Sequence, residues 1–193
     1  MIKHISGKIS EKTPAIVVID CNGVGYGLQI SLNTYEKIGD KSEVKLLTYL
    51  SIKEDSHTLY GFAEEEERQL FMQLISVNGV GTNTARMILS SLKPIEIKQA
   101  IAAGNWNLLK SIKGIGPKTA QRLVVDLQDK VKLLNLNETG NISFKNPIVD
   151  EALSALVMLG FGKVEAEKIL MKIKQENPEF SVEQLVKQAL KTL

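Results

Sequence analysis

Cysteine is almost absent from this 193-residue chain, and so are the sequence signatures of several enzyme classes. The single cysteine, Cys21, excludes an internal disulfide and any cysteine cluster that would hold zinc or an iron–sulfur centre. No Gly-Lys-Ser or Gly-Lys-Thr triplet occurs, which excludes a Walker A loop for nucleotide phosphates. We therefore expect no catalytic residues, no metal site and no cofactor.

Long apolar runs are also missing. The first residues, MIKHISGKIS, contain no apolar segment of the kind that signal peptides have. The longest apolar run nearby, Ala15 to Ile19, is far too short to span a bilayer. These features predict a cytoplasmic protein that has no membrane anchor.

The chain as a whole has no strong excess of positive or negative charge, since its formal net charge is +2. The charge is nevertheless unevenly distributed. Residues 70–134 hold nine Lys and Arg residues against three Asp and Glu residues, whereas the regions on either side are close to neutral. A basic middle segment between neutral ends favours contact with nucleic acid that is confined to that segment.

The sequence pattern changes along the chain in a way that predicts a multidomain α+β protein. Residues 1–63 contain short β-like runs separated by turn signals, which is typical of a small, OB-like β-barrel. Residues 64–134 have the apolar spacing of helices and predict an all-α domain. The polar residues 135–146 predict a flexible linker, and residues 147–193 predict a small domain of three short helices.

An internal repeat lies in the basic middle segment. With an offset of 35 residues, LISVNGVGTNTARMIL (Leu74 to Leu89) aligns with LKSIKGIGPKTAQRLV (Leu109 to Val124). Each copy reads as a helix, an apolar-Gly-apolar-Gly turn and a second helix, and it resembles the helix-hairpin-helix DNA-binding motif in tandem. Such a turn aims backbone N–H groups and the positive end of a helix at phosphate oxygens, so it recognises the DNA backbone rather than the base sequence.

The repeat supplies the candidate DNA-binding residues, which are the two turns and the starts of the helices that follow them. They are Gly79, Val80, Gly81, Thr82, Asn83 and Thr84 in the first copy, and Gly114, Ile115, Gly116, Lys118, Thr119 and Arg122 in the second. The copies differ in charge, because Asn83 and Met87 occupy the positions of Lys118 and Arg122. Simple packing of helices against each other is the alternative interpretation of the paired turns.

The order of these parts resembles the RuvA family, the Holliday-junction-binding subunits of the bacterial branch-migration machinery. The resemblance covers the whole chain. It rests on GVGYGLQI and KEDSHTLYGF in the barrel, on NGVGTNTARMIL and KGIGPKTAQRLVVDL in the repeat, and on ALVMLGF in the third domain.

The resemblance implies structure-specific, sequence-independent binding of four-way DNA junctions in homologous recombination, DNA repair and the SOS response to DNA damage. It implies a homotetramer formed around the barrel domains. It also implies two protein partners, the RuvB hexameric ATPase, which is the motor, and the RuvC junction resolvase. The chain itself would be a non-catalytic subunit.

Further site residues follow from the resemblance alone. Glu54 and Asp55 match the two acidic residues that project from a barrel loop as a pin at the tetramer centre. An ordinary polar turn is the alternative interpretation of this pair. The residues that match the motor contact by position are Leu156, Leu159, Phe161 and Leu190, although each is equally compatible with the core of a three-helix domain. The first hairpin departs from the family, because Thr82 and Asn83 stand where members often have proline and lysine.

Two other functions remain open at this point. In a helix-hairpin-helix DNA glycosylase with lyase activity, a hairpin lysine such as Lys118 attacks the sugar. Such an enzyme needs an aspartate about twenty residues downstream and usually a cysteine-bound cluster, and this chain offers neither. A single-strand-binding barrel with a helical tail is the second alternative; the balanced charge of residues 1–63 argues against it.

Overall fold

The computed structural model describes residues 2–138 and 147–192, and the chain divides into two compact units, Met1–Glu138 and Thr139–Leu193. The first unit contains β1 (His4–Lys12), β2 (Ile16–Cys21), β3 (Val24–Gln29), α1 (Leu32–Ile38), β4 (Glu43–Ile52), β5 (His57–Phe62), α2 (Glu65–Ile75), α3 (Thr82–Ser91), α4 (Pro94–Ala102), α5 (Trp106–Lys110) and α6 (Pro117–Glu138). The second contains α7 (Pro147–Met158), α8 (Lys163–Glu176) and α9 (Val182–Ala189). None of the helices in the described ranges is long and apolar enough to cross a membrane.

The five strands form a closed barrel in the order β1-β2-β3-β5-β4, with β4 pairing back to β1. All neighbouring strands are antiparallel except β3 and β5, which run parallel. Alternate residues point inward and fill the barrel, as the period of two in a strand requires. Examples are Val17, Ile19, Leu28 and Leu46, which are almost fully buried. The predicted OB-like barrel and helical middle region are both confirmed.

The helices of the first unit pack around a second core, which includes Tyr60 and Phe62 of β5 and is distinct from the interior of the barrel. Phe71 on α2 is fully buried, and its ring lies 5.4 Å from that of Tyr49, 5.2 Å from that of Tyr60 and 4.9 Å from that of Phe62. These three aromatic residues belong to β4 and β5. The helical region is therefore attached to the outside of the barrel by close aromatic packing.

A buried carboxylate reinforces this attachment. Glu67 on α2 is 1% exposed and accepts hydrogen bonds from the hydroxyls of Ser31 and Thr34, at the start of α1. The Thr34 hydroxyl also accepts a hydrogen bond from the N–H of Ala63, at 3.2 Å. Burial raises the pKa of Glu67 above its ordinary value, although the two hydrogen bonds and the charge of Lys37 act in the opposite direction.

Helix α6 extends further than the sequence pattern indicates. It continues to Glu138, so the predicted start of the linker at residue 135 lies inside a helix. The sequence offers no glycine or proline to stop the helix before Gly140. The remainder of the predicted linker, residues 139–146, lies outside the described residues.

The second unit is a bundle of three helices around its own small core. The buried residues of this core are Ala152, Leu153, Leu156, Ala166, Leu170, Ile173, Leu185 and Ala189. Helix α9 begins with a capping box, in which the Ser181 side chain accepts from the N–H of Gln184 and the Gln184 side chain accepts from the N–H of Ser181. The predicted three-helix region is confirmed.

We expect Glu67→Gln to change the pH dependence of stability, because a raised pKa means that the folded state binds the proton more tightly than the unfolded state. The contribution of Glu67 to stability is then fully present below the ordinary value of 4.5 and is lost as the pH rises through the raised pKa. Lowering the pH from neutral should therefore stabilise the wild type relative to Glu67→Gln in urea unfolding.

Glu67→Ala is the matched control, since it leaves the Ser31 and Thr34 hydroxyls without their acceptor. It should cost about 2 kcal/mol at neutral pH, whereas Glu67→Gln should cost less than about 1 kcal/mol. A stability difference between wild type and Glu67→Gln that did not vary with pH would contradict the titration of Glu67 in this range.

Candidate nucleic-acid interface

The first hairpin joins α2 to α3 through a turn that only glycine forms easily. Gly79 has φ +92°, in the left-handed region that other residues avoid. The turn is closed by a hydrogen bond from the N–H of Val80 to the carbonyl of Val77 at 3.0 Å. Helix α3 then begins with a bond from the N–H of Ala85 to the carbonyl of Gly81 at 2.9 Å.

The second hairpin joins α5 to α6 with the same geometry, 35 residues later. Gly114 has φ +89°, the N–H of Ile115 donates to Ile112 at 3.1 Å, and the N–H of Ala120 donates to Gly116 at 2.9 Å. The repeat in the sequence is therefore a repeat in the structure, with equivalent residues making equivalent bonds.

The predicted contact residues fall into three groups by exposure. Gly79, Gly81, Asn83, Gly114, Gly116, Lys118 and Arg122 are exposed, Thr82, Thr84 and Thr119 are half-buried, and Val80 and Ile115 are buried. Val80 and Ile115 are each 5% exposed, and their N–H groups are already bonded within the turns. These two residues hold the turns in place, and their side chains do not face the surface.

Gly81 and Gly116 are not explained by the fold itself. Gly81 has φ −82° and ψ 171°, which any residue can adopt, and Gly116 is also outside the left-handed region. A Cβ added to either glycine would meet nothing within 4 Å. Neither backbone strain nor packing therefore requires glycine at these two positions, and the space beside each backbone is open.

Both glycines directly precede a helix. No side chain caps the start of α3, in contrast to α1, α5 and α9, where Ser31, Asn105 and Ser181 accept from the first turn. The first N–H groups of a helix have no partner inside the helix, and together with the helix dipole they favour an anion. The open space at Gly81 lets another molecule approach these groups closely.

The two hairpins differ in their charge and in their contacts with the barrel. In the second, Lys113, Lys118 and Arg122 are exposed, and none forms an ion pair with a carboxylate in the described ranges. The first has no cation at the positions of Asn83 and Met87.

The first hairpin is instead tied to the barrel. The Tyr60 hydroxyl lies 2.9 Å from Thr82 Oγ1 and 3.4 Å from Asn83 Oδ1. Arg86 donates from Nη1 to the carbonyl of Ala15 at 3.2 Å. Sequence reasoning missed Tyr60 and Arg86, because their partners are distant in sequence and no motif marks them.

Glu54 and Asp55 occupy the tip of the β4–β5 hairpin. The tip is closed by two hydrogen bonds between Lys53 and Ser56, from the N–H of Lys53 at 2.8 Å and from the N–H of Ser56 at 3.4 Å. Both carboxylates are exposed, and the Ser56 hydroxyl donates to Asp55 Oδ1 at 3.3 Å. The tip is thus a short anionic projection from an otherwise nearly neutral barrel.

The four apolar residues singled out in the third domain do not share one environment. Leu156 is fully buried and belongs to the core of the bundle, which was the alternative interpretation of this residue. Phe161 is partly buried against the same core, whereas Leu159 and Leu190 are exposed. The sequence analysis missed Met158, which is 87% exposed beside Leu159.

A metal centre has no support in the part of the chain that the structure describes. There, no group of three or more His, Cys, Asp or Glu side chains is arranged to hold an ion.

Comparison with known proteins gives matches along nearly the whole chain. Residues 1–61 match the model of the RuvA N-terminal domain, residues 71–129 the SAM-like helix-hairpin-helix tandem, and residues 147–193 the RuvA C-terminal domain. Proteins named Holliday junction branch migration complex subunit RuvA are similar over their full length and that of this chain. They include those of Christiangramia forsetii at 51% identity and Flavobacterium psychrophilum at 54%. The protein of that name from Bacteroides thetaiotaomicron is 47% identical, again with full coverage of both chains.

The geometry of the turns predicts different effects on stability for the two kinds of glycine. Gly79→Ala and Gly114→Ala place a Cβ on left-handed backbone, and each should lower the free energy of unfolding by about 1 kcal/mol. Gly81→Ala and Gly116→Ala have room and an ordinary backbone, so each should cost less, about 0.5 kcal/mol, which reflects only the poorer fit of alanine directly before a helix. Urea unfolding of the four variants measures this, and equal losses at all four positions would contradict it.

Proposed function

The chain belongs to the RuvA family, and from this membership we propose that it binds four-way (Holliday) DNA junctions as the DNA-binding subunit of a branch migration complex. The observation that carries the proposal is the pair of equivalent hairpins, whose Gly81 and Gly116 leave open space beside the starts of α3 and α6. A phosphate group fits this space, because it is anionic and needs close access to backbone N–H groups.

The chemistry of the hairpins favours binding that does not depend on base sequence. Backbone N–H groups, helix ends, Lys118 and Arg122 interact with phosphates, which all DNA sequences share. Specificity for a four-way junction must then come from shape. Two hairpins in one subunit supply two phosphate contacts, and a homotetramer around the barrels would present four such pairs to the four arms.

The two carboxylates at the tip of the β4–β5 hairpin support a contribution of this tip to the selection of four-way junctions by shape. Glu54 and Asp55 are exposed and project together, and carboxylates repel nearby phosphates. At the centre of a tetramer, the tips of four subunits would disfavour a continuous duplex and guide the separated strands. We infer that this is the acidic pin.

The second unit offers an apolar surface for the motor. Met158 and Leu159 at the end of α7, and Val164 at the start of α8, are exposed large apolar side chains. Such a surface favours contact with another protein, and we infer that it binds the RuvB ATPase. The energy for branch migration would come from RuvB, and the chain itself would be non-catalytic.

The remaining partners and the location follow from the same role. A junction that is held open is also the substrate for the RuvC resolvase, in recombination, repair and the SOS response to DNA damage. The site of action would be the cytoplasm, where bacterial DNA lies. The two other functions that the sequence left open, a hairpin lyase and a single-strand-binding barrel, are less favoured, because the similarity to RuvA proteins extends over all three regions.

The test is a comparison of binding to a four-way junction, a linear duplex and a single strand at several salt concentrations. We expect the junction to bind most tightly, irrespective of arm sequence, and its affinity to fall as salt rises, because phosphate contacts release counterions. Lys118→Ala with Arg122→Ala should weaken binding and lower the salt slope by about 1 for each phosphate that the variant no longer neutralises.

Asn83→Ala with Met87→Ala is the matched control at the equivalent positions of the first hairpin, where no charge is removed. It should affect affinity and salt slope less than the change in the second hairpin. Equal affinity of the wild type for junction and linear duplex would overturn the proposed function.

Glu54→Gln with Asp55→Asn tests the pin. Both residues are exposed, so stability should change by no more than about 0.5 kcal/mol. Affinity for linear duplex should rise and the preference for the junction should fall, because the repulsion at the centre is removed. Glu36→Gln with Asp40→Asn removes two other exposed carboxylates of the barrel and should have neither effect. Unchanged preference in the first variant would identify the tip as an ordinary solvated turn.

A further inference from the structure

A polar groove lies between the end of the β4–β5 hairpin and the start of α3. Its volume is about 370 Å³. The residues that line it are Gln29, Ser51, Lys53, Ser56, Thr58, Tyr60, Thr82, Asn83 and Arg86. The groove therefore joins the barrel to the first hairpin, and apart from Thr82 and Asn83 none of its lining residues belongs to the sites predicted from the sequence.

The charge of the groove is positive. Lys53 and Arg86 are its only charged lining residues, and no carboxylate lines it. Neither residue forms an ion pair with any carboxylate in the described parts of the chain. Two cations that share a cavity without a counter-charge repel each other, and an anion between them relieves that repulsion.

Arg86 adds a second, independent indication. Its guanidinium donates from Nη1 to the carbonyl of Ala15, but its buried Nε has no hydrogen-bond partner among the described residues. A buried N–H donor without an acceptor is costly. Arg86 also lines the groove, so an acceptor bound there meets a guanidinium whose hydrogen-bonding capacity is only partly used.

The remaining lining identifies the class of anion. It consists of hydroxyl and amide side chains, and it contains no aliphatic side chain and no aromatic side chain other than that of Tyr60. Hydroxyls and amides donate to phosphate oxygens, whereas a base would need an apolar or stacking surface. The Tyr60 hydroxyl, 2.9 Å from Thr82 Oγ1, holds one of these groups in position at the groove.

We propose that this groove binds a phosphate of the DNA backbone, with Lys53 and Arg86 as the charged ligands and Tyr60 as a positioning residue. The proposal rests on the proposed junction-binding function and adds a site outside the two hairpin turns. It also accounts for the charge difference between the hairpins. The first hairpin lacks cations at Asn83 and Met87, and the groove beside it supplies two.

The groove lies between the acidic tip of the β4–β5 hairpin and the start of α3. Lys53 immediately precedes Glu54 and Asp55, so an attractive and a repulsive group are neighbours on one tight hairpin. A strand that is pushed away from the tip meets the groove next, and after it the start of α3. The groove would therefore guide a strand from the crossover to the first hairpin.

The experiment compares Lys53→Gln with Lys45→Gln. Lys45 is an exposed lysine near the start of β4, whereas Lys53 directly follows the end of that strand, so the control removes the same charge from the barrel outside the groove. Affinity for a four-way junction is measured by fluorescence anisotropy, and circular dichroism checks the fold. Lys53→Gln should weaken binding roughly fivefold and lower the salt slope, and Lys45→Gln should do neither.

A scan of the junction with single neutral methylphosphonate linkages identifies the phosphate. For the wild type, neutralising one position near the crossover should weaken binding. For Lys53→Gln the same change should have little further effect, because the two changes remove one contact. Arg86→Gln, which removes the guanidinium, should lose sensitivity at the same position. A variant that was merely less stable would keep the wild-type pattern of sensitivity.

The outcomes separate this inference from the proposed function. If the wild type prefers junctions but Lys53→Gln matches Lys45→Gln in affinity and in the methylphosphonate pattern, the groove proposal is overturned and the proposed function stands. If inorganic phosphate alone shifts the Arg86 Nε resonance in NMR spectra, and no linkage couples to Lys53, the groove takes free phosphate and the DNA assignment is wrong. A wild type without preference for junctions overturns the proposed function itself.

Discussion

The contact between the barrel and α2 determines where every candidate DNA-binding group of the first unit lies. Phe71 is enclosed by aromatic rings of β4 and β5, and Glu67 accepts hydrogen bonds from the start of α1. Strands β4 and β5 also end in the hairpin that carries Glu54 and Asp55. The acidic tip and the first hairpin are therefore mounted on the same two strands, and a shift of α2 on the barrel would change the spacing between them.

The two hairpins have the same backbone but different support. The second carries exposed Lys118 and Arg122, which in the proposed function would reach phosphates without help from the barrel. The first has no charge at the equivalent positions, but it is bonded to Tyr60 and lies beside Lys53 of the barrel. A rigid donor loses less conformational entropy on binding than a long flexible side chain. The fixed position of the first hairpin can thus compensate for its lack of the two charges that Lys118 and Arg122 give the second hairpin.

The hairpins could be predicted from the sequence because their determinants are local. Each needs a glycine that adopts positive φ and apolar residues within a few positions, and both needs are visible in one short segment. The sequence left Leu156 open between core and contact surface, because a small difference in position along a helix changes the face on which a residue lies. The groove was missed because Lys53, Tyr60 and Arg86 come together only when the hairpin α2–α3 packs on the barrel.

Screening by salt explains why the packing of α2 and α3 on the barrel matters more for the proposed contact with DNA than the net charge of +2. At physiological ionic strength, exposed charges act over a Debye length of about 8 Å, so distant parts of the surface contribute little to the potential at a given phosphate. A strand near the barrel would therefore respond to Glu54, Asp55 and Lys53 and only weakly to charges elsewhere on the surface. Opposite charges so close together can select a strand path only if their positions are fixed. The core around Phe71 holds the strands that carry them, so the proposed selection of DNA by shape would depend on a buried aromatic contact that no DNA would touch.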